Sequence, residues 1–162
     1  MSEFNTMLRK SAQSVQDVLH KKGLSCKVVE LAASTRTAQE AADAIGCTVA
    51  QIVKSLVFST KGSKKPILVL ASGVNRVNEK TVAAQVGENI EKADAEFVRE
   101  VTGFAIGGVP PVGHKQAIET YIDEDLLRYP EIWAAAGTPH AVFSLNSAVL
   151  QELTNGKVIG VK

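Results

Sequence analysis

Gln51-Ile52-Val53-Lys54-Ser55-Leu56-Val57-Phe58-Ser59-Thr60, Lys61-Gly62-Ser63-Lys64-Lys65 and Pro66-Ile67-Leu68-Val69-Leu70-Ala71-Ser72 follow one another, and this stretch decides the fold class. Two runs rich in β-branched and large apolar residues flank a short polar loop with a glycine, the pattern of two strands joined as a hairpin. A period of two puts Ile52, Lys54, Leu56 and Phe58 on one face and Val53, Ser55 and Val57 on the other. Lys54 is thus a charge set into an apolar face. Its ammonium group either stands at the edge of a pocket, where it could meet a phosphate or carboxylate, or runs past an apolar edge to water.

Upstream of the hairpin, Leu8, Val15, Val18 and Leu19 form one apolar stripe at helical spacing, and Gly23 can stop that helix. Cys26 to Leu31 reads as a strand. Thr37-Ala38-Gln39-Glu40 is a capping-box pattern that opens a helix over Ala38 to Ile45, closed by Gly46. Downstream, Asn78 and Asp94 are placed to cap helices Glu79 to Val86 and Ala95 to Val101. Short strands follow at Ala117 to Ile122, Ile132 to Ala136 and Ala141 to Leu145. Asn146 caps a last helix through Leu153, and Lys157 to Val161 is a closing strand. Strands follow strands too often for a regular βαβ doubly wound sheet, so the pattern predicts one compact α+β domain over residues 1–162.

Composition limits the function. The chain has 162 residues, 45% of them apolar and 22% charged, with a net charge of +1. That is an ordinary globular balance with no basic stripe for tracking many phosphates, so any RNA contact is local, at one end or one loop. Cys26 and Cys47 stand far apart, without a Cys-x-x-Cys pair or a histidine at ligand spacing. They read as small apolar fillers in a reduced cytoplasm and not as a metal site. Met1 to Leu8 contains Glu3 and Asn5 and lacks a signal peptide's apolar run, and no stretch is long enough to span a membrane.

Two loops stand out beside Lys54. Gly107-Gly108-Val109-Pro110-Pro111-Val112-Gly113-His114 combines glycines, which let a backbone approach a ligand, with prolines that stiffen it. Exposed N–H groups in such a loop could hold a carbonyl oxygen, or the loop could be only a tight structural turn. Ala135-Ala136-Gly137-Thr138-Pro139-His140 offers small residues that either floor a small pocket or allow close packing. The histidines assemble no triad and no Gly-x-Ser-x-Gly elbow is present. Asp123-Glu124-Asp125 is expected to open a short helix and face solvent.

Ser34-Thr35-Arg36-Thr37-Ala38-Gln39-Glu40-Ala41-Ala42, Gln51 to Phe58, Leu70-Ala71-Ser72-Gly73, Gly107-Gly108-Val109-Pro110-Pro111 and Ala136-Gly137 occur in an order and spacing that resembles the YbaK-type aminoacyl-tRNA deacylases. These are relatives of the editing domain of bacterial prolyl-tRNA synthetases. The resemblance implies a mixed, mostly antiparallel sheet curled toward a barrel and surrounded by helices. It implies a free-standing, cytoplasmic hydrolase that removes a small amino acid (alanine, serine, threonine or cysteine type) from mischarged tRNA, in trans and without metal or cofactor. Lys54 then matches the lysine that contacts the terminal adenosine or its phosphate. Gly107 and Pro111 match the Gly-x-x-x-Pro loop whose N–H groups hold the aminoacyl carbonyl, with Gly108 between them. Ala136 and Gly137 match the turn near the amino-acid pocket, and Thr35 and His114 are further lining residues. The partner is the tRNA acceptor end, with an aminoacyl-tRNA synthetase as a possible second. The competing reading is a non-catalytic module that binds aminoacyl-tRNA or a synthetase.

Overall fold

The hairpin forms as expected, except that Gln51 ends a short 3₁₀ turn before the first strand. In the computed structural model, which describes residues 8–162, β2 (Ile52–Thr60) and β3 (Pro66–Ser72) pair antiparallel, from Val53 opposite Ser72 to Ser59 opposite Pro66. The reading of Met1 to Leu8 as leaderless falls almost wholly on residues 1–7, outside the described ones.

Local chemistry sets the helix ends. Helix α1 covers Lys10–Lys21. Helix α2 covers Ala38–Ile45: the Glu40 N–H donates to Thr37 Oγ1 (3.1 Å), the Thr37 N–H donates to Glu40 Oε1 (3.2 Å), and Gly46 takes the left-handed C-cap. Asn78 caps α3 (Glu79–Val86), Asp94 caps α4 (Ala95–Thr102) and Asn146 caps α5 (Ser147–Thr154) through side-chain oxygens. The strand expected over Cys26 to Leu31 shortens to β1 (Val29–Glu30). The remaining strands are β4 (Ile90–Lys92), β5 (Glu119–Asp123), β6 (Glu131–Ala135), β7 (Ala141–Asn146) and β8 (Lys157–Ile159).

One mixed sheet joins them in the order β1-β7-β6-β2-β3-β5-β8, with β4 also on β2. Four ladders are antiparallel (β1–β7, β2–β3, β2–β4, β6–β7) and three are parallel (β2–β6, β3–β5, β5–β8). The expected curl toward a barrel stops short of closure. The path ends at β1 and β8, which do not pair; at two and three residues they offer little backbone for bridging.

Strand β2 is the centre of this sheet, and its two edges differ. Along one edge β3 pairs with it from Val53 to Ser59. Along the other, β6 pairs only at Ile52 and Val53, and β4 only from Phe58 to Thr60. Residues 54–57 thus face a gap between two short partners. The Gly73 N–H donates to the Ile52 carbonyl (2.8 Å) and the Ala93 N–H to the Val57 carbonyl (3.1 Å). Backbone groups alternate in direction along a strand, so even-numbered residues of β2 bond toward β3 and odd-numbered ones toward the split edge. The Ser55 N–H and C=O therefore point into the gap.

The faces of β2 divide the core as the period-two pattern requires. Val53 and Val57 enter the large cluster with Leu68, Leu70, Phe143 and Val15. On the opposite face Ile52 packs with Ala41, Ala42 and Trp133, and Phe58 with Ile67, Val69 and Val82. Lys54 falls between these two smaller clusters.

The acidic run needs correction. It does open a short 3₁₀ helix, Glu124–Arg128, but Asp123 is only 1% exposed. Its Oδ2 accepts from the Ser72 N–H (3.0 Å) and Asn75 Nδ2 (2.8 Å), and its Oδ1 from the Asp125 N–H (2.9 Å). The carboxylate faces inward because it ties the end of β3 and the following turn to β5. Removing it orphans three donors, two of them backbone groups. Asp123→Ala is expected to cost about 2–4 kcal/mol in urea unfolding; an unchanged midpoint would show that the tie is dispensable.

The loop Gly103 to His114 is held from within. His114 Nε2–H donates to the Pro110 carbonyl (2.7 Å), and burial pushes the imidazole pKa below its ordinary value, the Pro110 hydrogen bond opposing. A pKa lowered by folding means the unfolded chain takes up the proton first. This contribution is complete above about pH 6.5, the unfolded value, and is lost as pH falls below it. Between pH 7.5 and 5.5 the urea midpoint should drop more steeply for the wild type than for His114→Gln; parallel profiles would contradict this.

Candidate functional site

A cavity of about 390 Å³ opens at the gap beside β2. Its walls come from four places: Thr35 to Ala38 at the start of α2, Ile52 to Leu56 of β2, Trp133 to Ala135 of β6, and the turn carrying Ile106, Gly107 and Val109. Each wall has a local cause. The Thr35 N–H donates to the Pro139 carbonyl (2.7 Å), which pins the approach to α2. Ala105 to Gly108 is a β-turn closed by the Gly108 N–H on the Ala105 carbonyl (3.0 Å), with φ +94° at Gly107. A positive φ at the third position is the type II pattern and favours glycine. A Cβ there would also stand 2.7 Å from Arg36 Cγ.

Three buried side-chain polar atoms have no hydrogen-bond partner among the described residues: Thr35 Oγ1, Ser55 Oγ and Trp133 Nε1. All three residues line this one cavity. Buried polar groups are nearly always satisfied, and leaving one unmade costs about 1–3 kcal/mol, so three around one space mark where a polar ligand belongs. The outward-turned Ser55 backbone adds a donor and an acceptor. The Gly107 N–H likewise finds no acceptor among the described residues.

Lys54 stands at this site half-buried, with Nζ donating to the Asn75 carbonyl (2.5 Å). Burial pushes its ammonium pKa below the ordinary lysine value, and the Asp123 carboxylate opposes that shift. Asn75 is itself fixed, its Nδ2 donating to Asp123 Oδ2 and Asp125 Oδ2, both at 2.8 Å. A charge among apolar residues is thus aimed by a backbone oxygen that a buried carboxylate holds in place. Neither Asn75 nor Asp123 was marked as a site residue by the sequence, where Asp123 read as a solvent-facing helix opener.

The structure divides the residues expected at the site. Lys54, Thr35 and Gly107 line the cavity together. Gly108 lies behind it, against the other loop: its carbonyl accepts from the Gly137 N–H (2.8 Å), and a Cβ on it would meet Thr138 Cα at 2.9 Å. Ala136 is fully buried in the main core, so the small-residue turn of Ala136 and Gly137 serves close packing, and Ala134 and Ala135 form the cavity wall. Pro111 and His114 line a different depression, an open one of about 890 Å³ reaching Leu153 and Lys157. That depression is larger, but all three residues that carry the orphaned polar atoms line the smaller cavity. Cys26 and Cys47 are unpaired thiols whose pKa burial raises, which disfavours a thiolate nucleophile. Among the described residues no three of His, Cys, Asp and Glu converge on a metal-sized site, and no helix is long and apolar enough to cross a membrane.

Comparison with known proteins gives this geometry a family. A crystal structure described as a candidate trans-editing enzyme for prolyl-tRNA synthetase is 52% identical, with a TM-score of 0.91 over 96% of this chain and 99% of the other. The uncharacterized protein YwhH of Bacillus subtilis is 32% identical over 81% of this chain and 83% of its own length. A candidate Cys-tRNA(Pro)/Cys-tRNA(Cys) deacylase, EbsC of Enterococcus faecalis, is 28% identical over 75% of this chain and 74% of its own. The profile of the aminoacyl-tRNA editing domain matches residues 32–153, and the chain belongs to that family.

Proposed function

We propose that the cleft hydrolyses the ester joining a small amino acid to the 3′ end of a mischarged tRNA, acting in trans in the cytoplasm without metal or cofactor. The observation that carries this reading is that the three residues with orphaned polar atoms line one cavity together with Lys54. The aminoacyl group has a use for each kind of group present. Its ammonium donates to the Ser55 carbonyl and Thr35 Oγ1. Its ester carbonyl accepts from the Gly107 N–H, and the negative charge that grows on this oxygen during attack lies within the field of Lys54.

This modest equipment suffices for the chemistry. An ester is already activated, so positioning a water and fixing the carbonyl accounts for much of the required rate. The free ribose hydroxyl beside the ester can relay the proton to the leaving oxygen. A net charge of +1 suits a protein that grips only the acceptor end. Editing is needed because a synthetase pocket separates amino acids differing by a methylene by only about 1–3 kcal/mol. The name of the Enterococcus faecalis relative favours cysteine among the candidate amino acids, and alanine, serine, threonine and aminobutyrate are the others to assay.

The test is hydrolysis of a panel of tRNAs charged separately with these five. Rapid release from one or two is expected; no release from any, by folded protein on intact tRNA, would leave the non-catalytic binding module. Lys54→Ala should stay folded and lose about tenfold or more in deacylation, the scale of one charged contact at a transition state. Unchanged turnover would remove Lys54 from the mechanism. Gly107→Val should abolish release, because its side chain is forced against Arg36 from a left-handed backbone. Wild-type turnover in that variant would sink the role given to the turn.

A further inference from the structure

Arg36 stands in the run that leads into α2 and lines the cavity beside β2 together with Lys54. No aspartate or glutamate lines that cavity, so both of its charged side chains are positive. Arg36 is exposed, and among the described residues its side chain makes no salt bridge and no hydrogen bond. The nearest acid along the chain, Glu40, is otherwise engaged. Its Oε1 accepts from Ser34 Oγ (3.3 Å), the Thr37 N–H (3.2 Å) and the Thr37 hydroxyl (3.3 Å). The arginine stem lies across the turn from Ala105 to Gly108. A Cβ on Gly107 would stand 2.7 Å from Arg36 Cγ, 3.4 Å from Cδ and 3.5 Å from Nε. The unpaired Gly107 N–H and an unpaired guanidinium are thus neighbours at the cavity.

We infer that Arg36 is a further catalytic residue of the deacylation, its guanidinium binding the oxygen that turns negative as the acyl carbon becomes tetrahedral. In that step the water oxygen bonds the acyl carbon, and the carbonyl π pair moves onto the carbonyl oxygen. On collapse the pair returns and the bond to the ribose oxygen breaks. The ribose oxygen leaves with the proton given up by the water. An oxyanion held at the Gly107 N–H lies within the span of the arginine arm that crosses the same residue. A guanidinium offers five donors in a rigid fork, and its bond to an anion is about twice as strong as a neutral one. Lys54 is tethered to the Asn75 carbonyl, whereas the Arg36 donors are free among the described residues. The substrate's ammonium is repelled by Arg36 in the ground state and the transition state alike, so that cost largely cancels from kcat. The inference rests on the deacylase reading for the ester; recognition of an anion at this place can be measured without turnover.

The test compares Arg36→Ala, Arg36→Met and Arg36→Lys in the full chain, reading kcat and KM for aminoacyl-tRNA separately. Methionine keeps a stem over Gly107 without the charge, and lysine keeps a charge without the fork. The alanine and methionine variants should both lose about tenfold to a hundredfold in kcat, with KM unchanged or lowered, and lysine should recover part of the loss. Two adenosine ligands give a readout without turnover. One is 3′-aminoacylamino-3′-deoxyadenosine, planar and neutral at the acyl carbon; the other is the adenosine 3′-(1-aminoethyl)phosphonate ester, tetrahedral and anionic there. The wild type should prefer the phosphonate, and Arg36→Met should cut that preference about tenfold, the scale of a lost charged hydrogen bond, while binding the planar ligand as before. Normal kcat in Arg36→Met but not in Arg36→Ala would reduce the side chain to a prop for the turn and overturn the inference. A raised KM with kcat held, or a phosphonate preference that survives in Arg36→Met, would overturn it as well. If the wild type deacylates no tRNA while the preference depends on Arg36, the deacylase reading fails and the anion site stands. A wild type that deacylates, with variants that match it, removes Arg36 alone.

Discussion

Strand β2 is paired along the whole of one edge by β3, while the other edge is shared between two partners too short to meet. Strand β6 releases it after Val53 and β4 takes it up at Phe58. An open strand edge in the middle of a sheet is ordinarily a liability, because its N–H and C=O groups are dry and unpaired. Here the interval is long enough for one outward-turned residue, Ser55, and the cavity opens beside it. The position of Lys54, one residue earlier, follows from the same register. It points out of the sheet face between the cluster under α2 and the cluster under α3.

Holding a lysine there requires support, and the support is polar and buried. Asp123 binds the end of β3 and the side chain of Asn75, whose carbonyl receives the Lys54 ammonium. The carboxylate thus acts twice, locally as a hydrogen-bond hub and at longer range as a countercharge against the cost of burying the lysine. Such a network is stiff when every member is satisfied. It joins one wall of the cleft to β5 on the far side of β3, so the sheet itself fixes the orientation of the site.

Elements whose ends are set by local chemistry can be read from the sequence alone. Thr37 with Glu40, Asn78 and Asp94 marked helix starts that the structure reproduces, and the Gly62-containing loop marked the hairpin. Lys54 was visible because a charge interrupts an otherwise apolar strand. What stayed hidden depends on long-range pairing. Strand β4 is three residues and carries no pattern of its own; it exists because β2 offers it an edge. Asp123 looked like a solvated helix cap, since nothing in the chain near it announces Ser72 and Asn75 as partners. The glycine and proline loop is likewise divided by long-range packing. Gly107 reaches the cavity while Pro111 and His114, a few residues on, line a different depression.

The proposed chemistry requires the ester to lie in the gap beside β2. The direct measurement is a crystal structure of the protein with a non-hydrolysable analogue, 3′-aminoacylamino-3′-deoxyadenosine. It should show the acyl carbonyl and ammonium hydrogen-bonded to the backbone of Ser55 and Gly107 and to Thr35 Oγ1, with Lys54 beside them. An analogue seated in the depression between Pro111 and Lys157, with the Ser55 and Thr35 atoms still unpartnered, would contradict it.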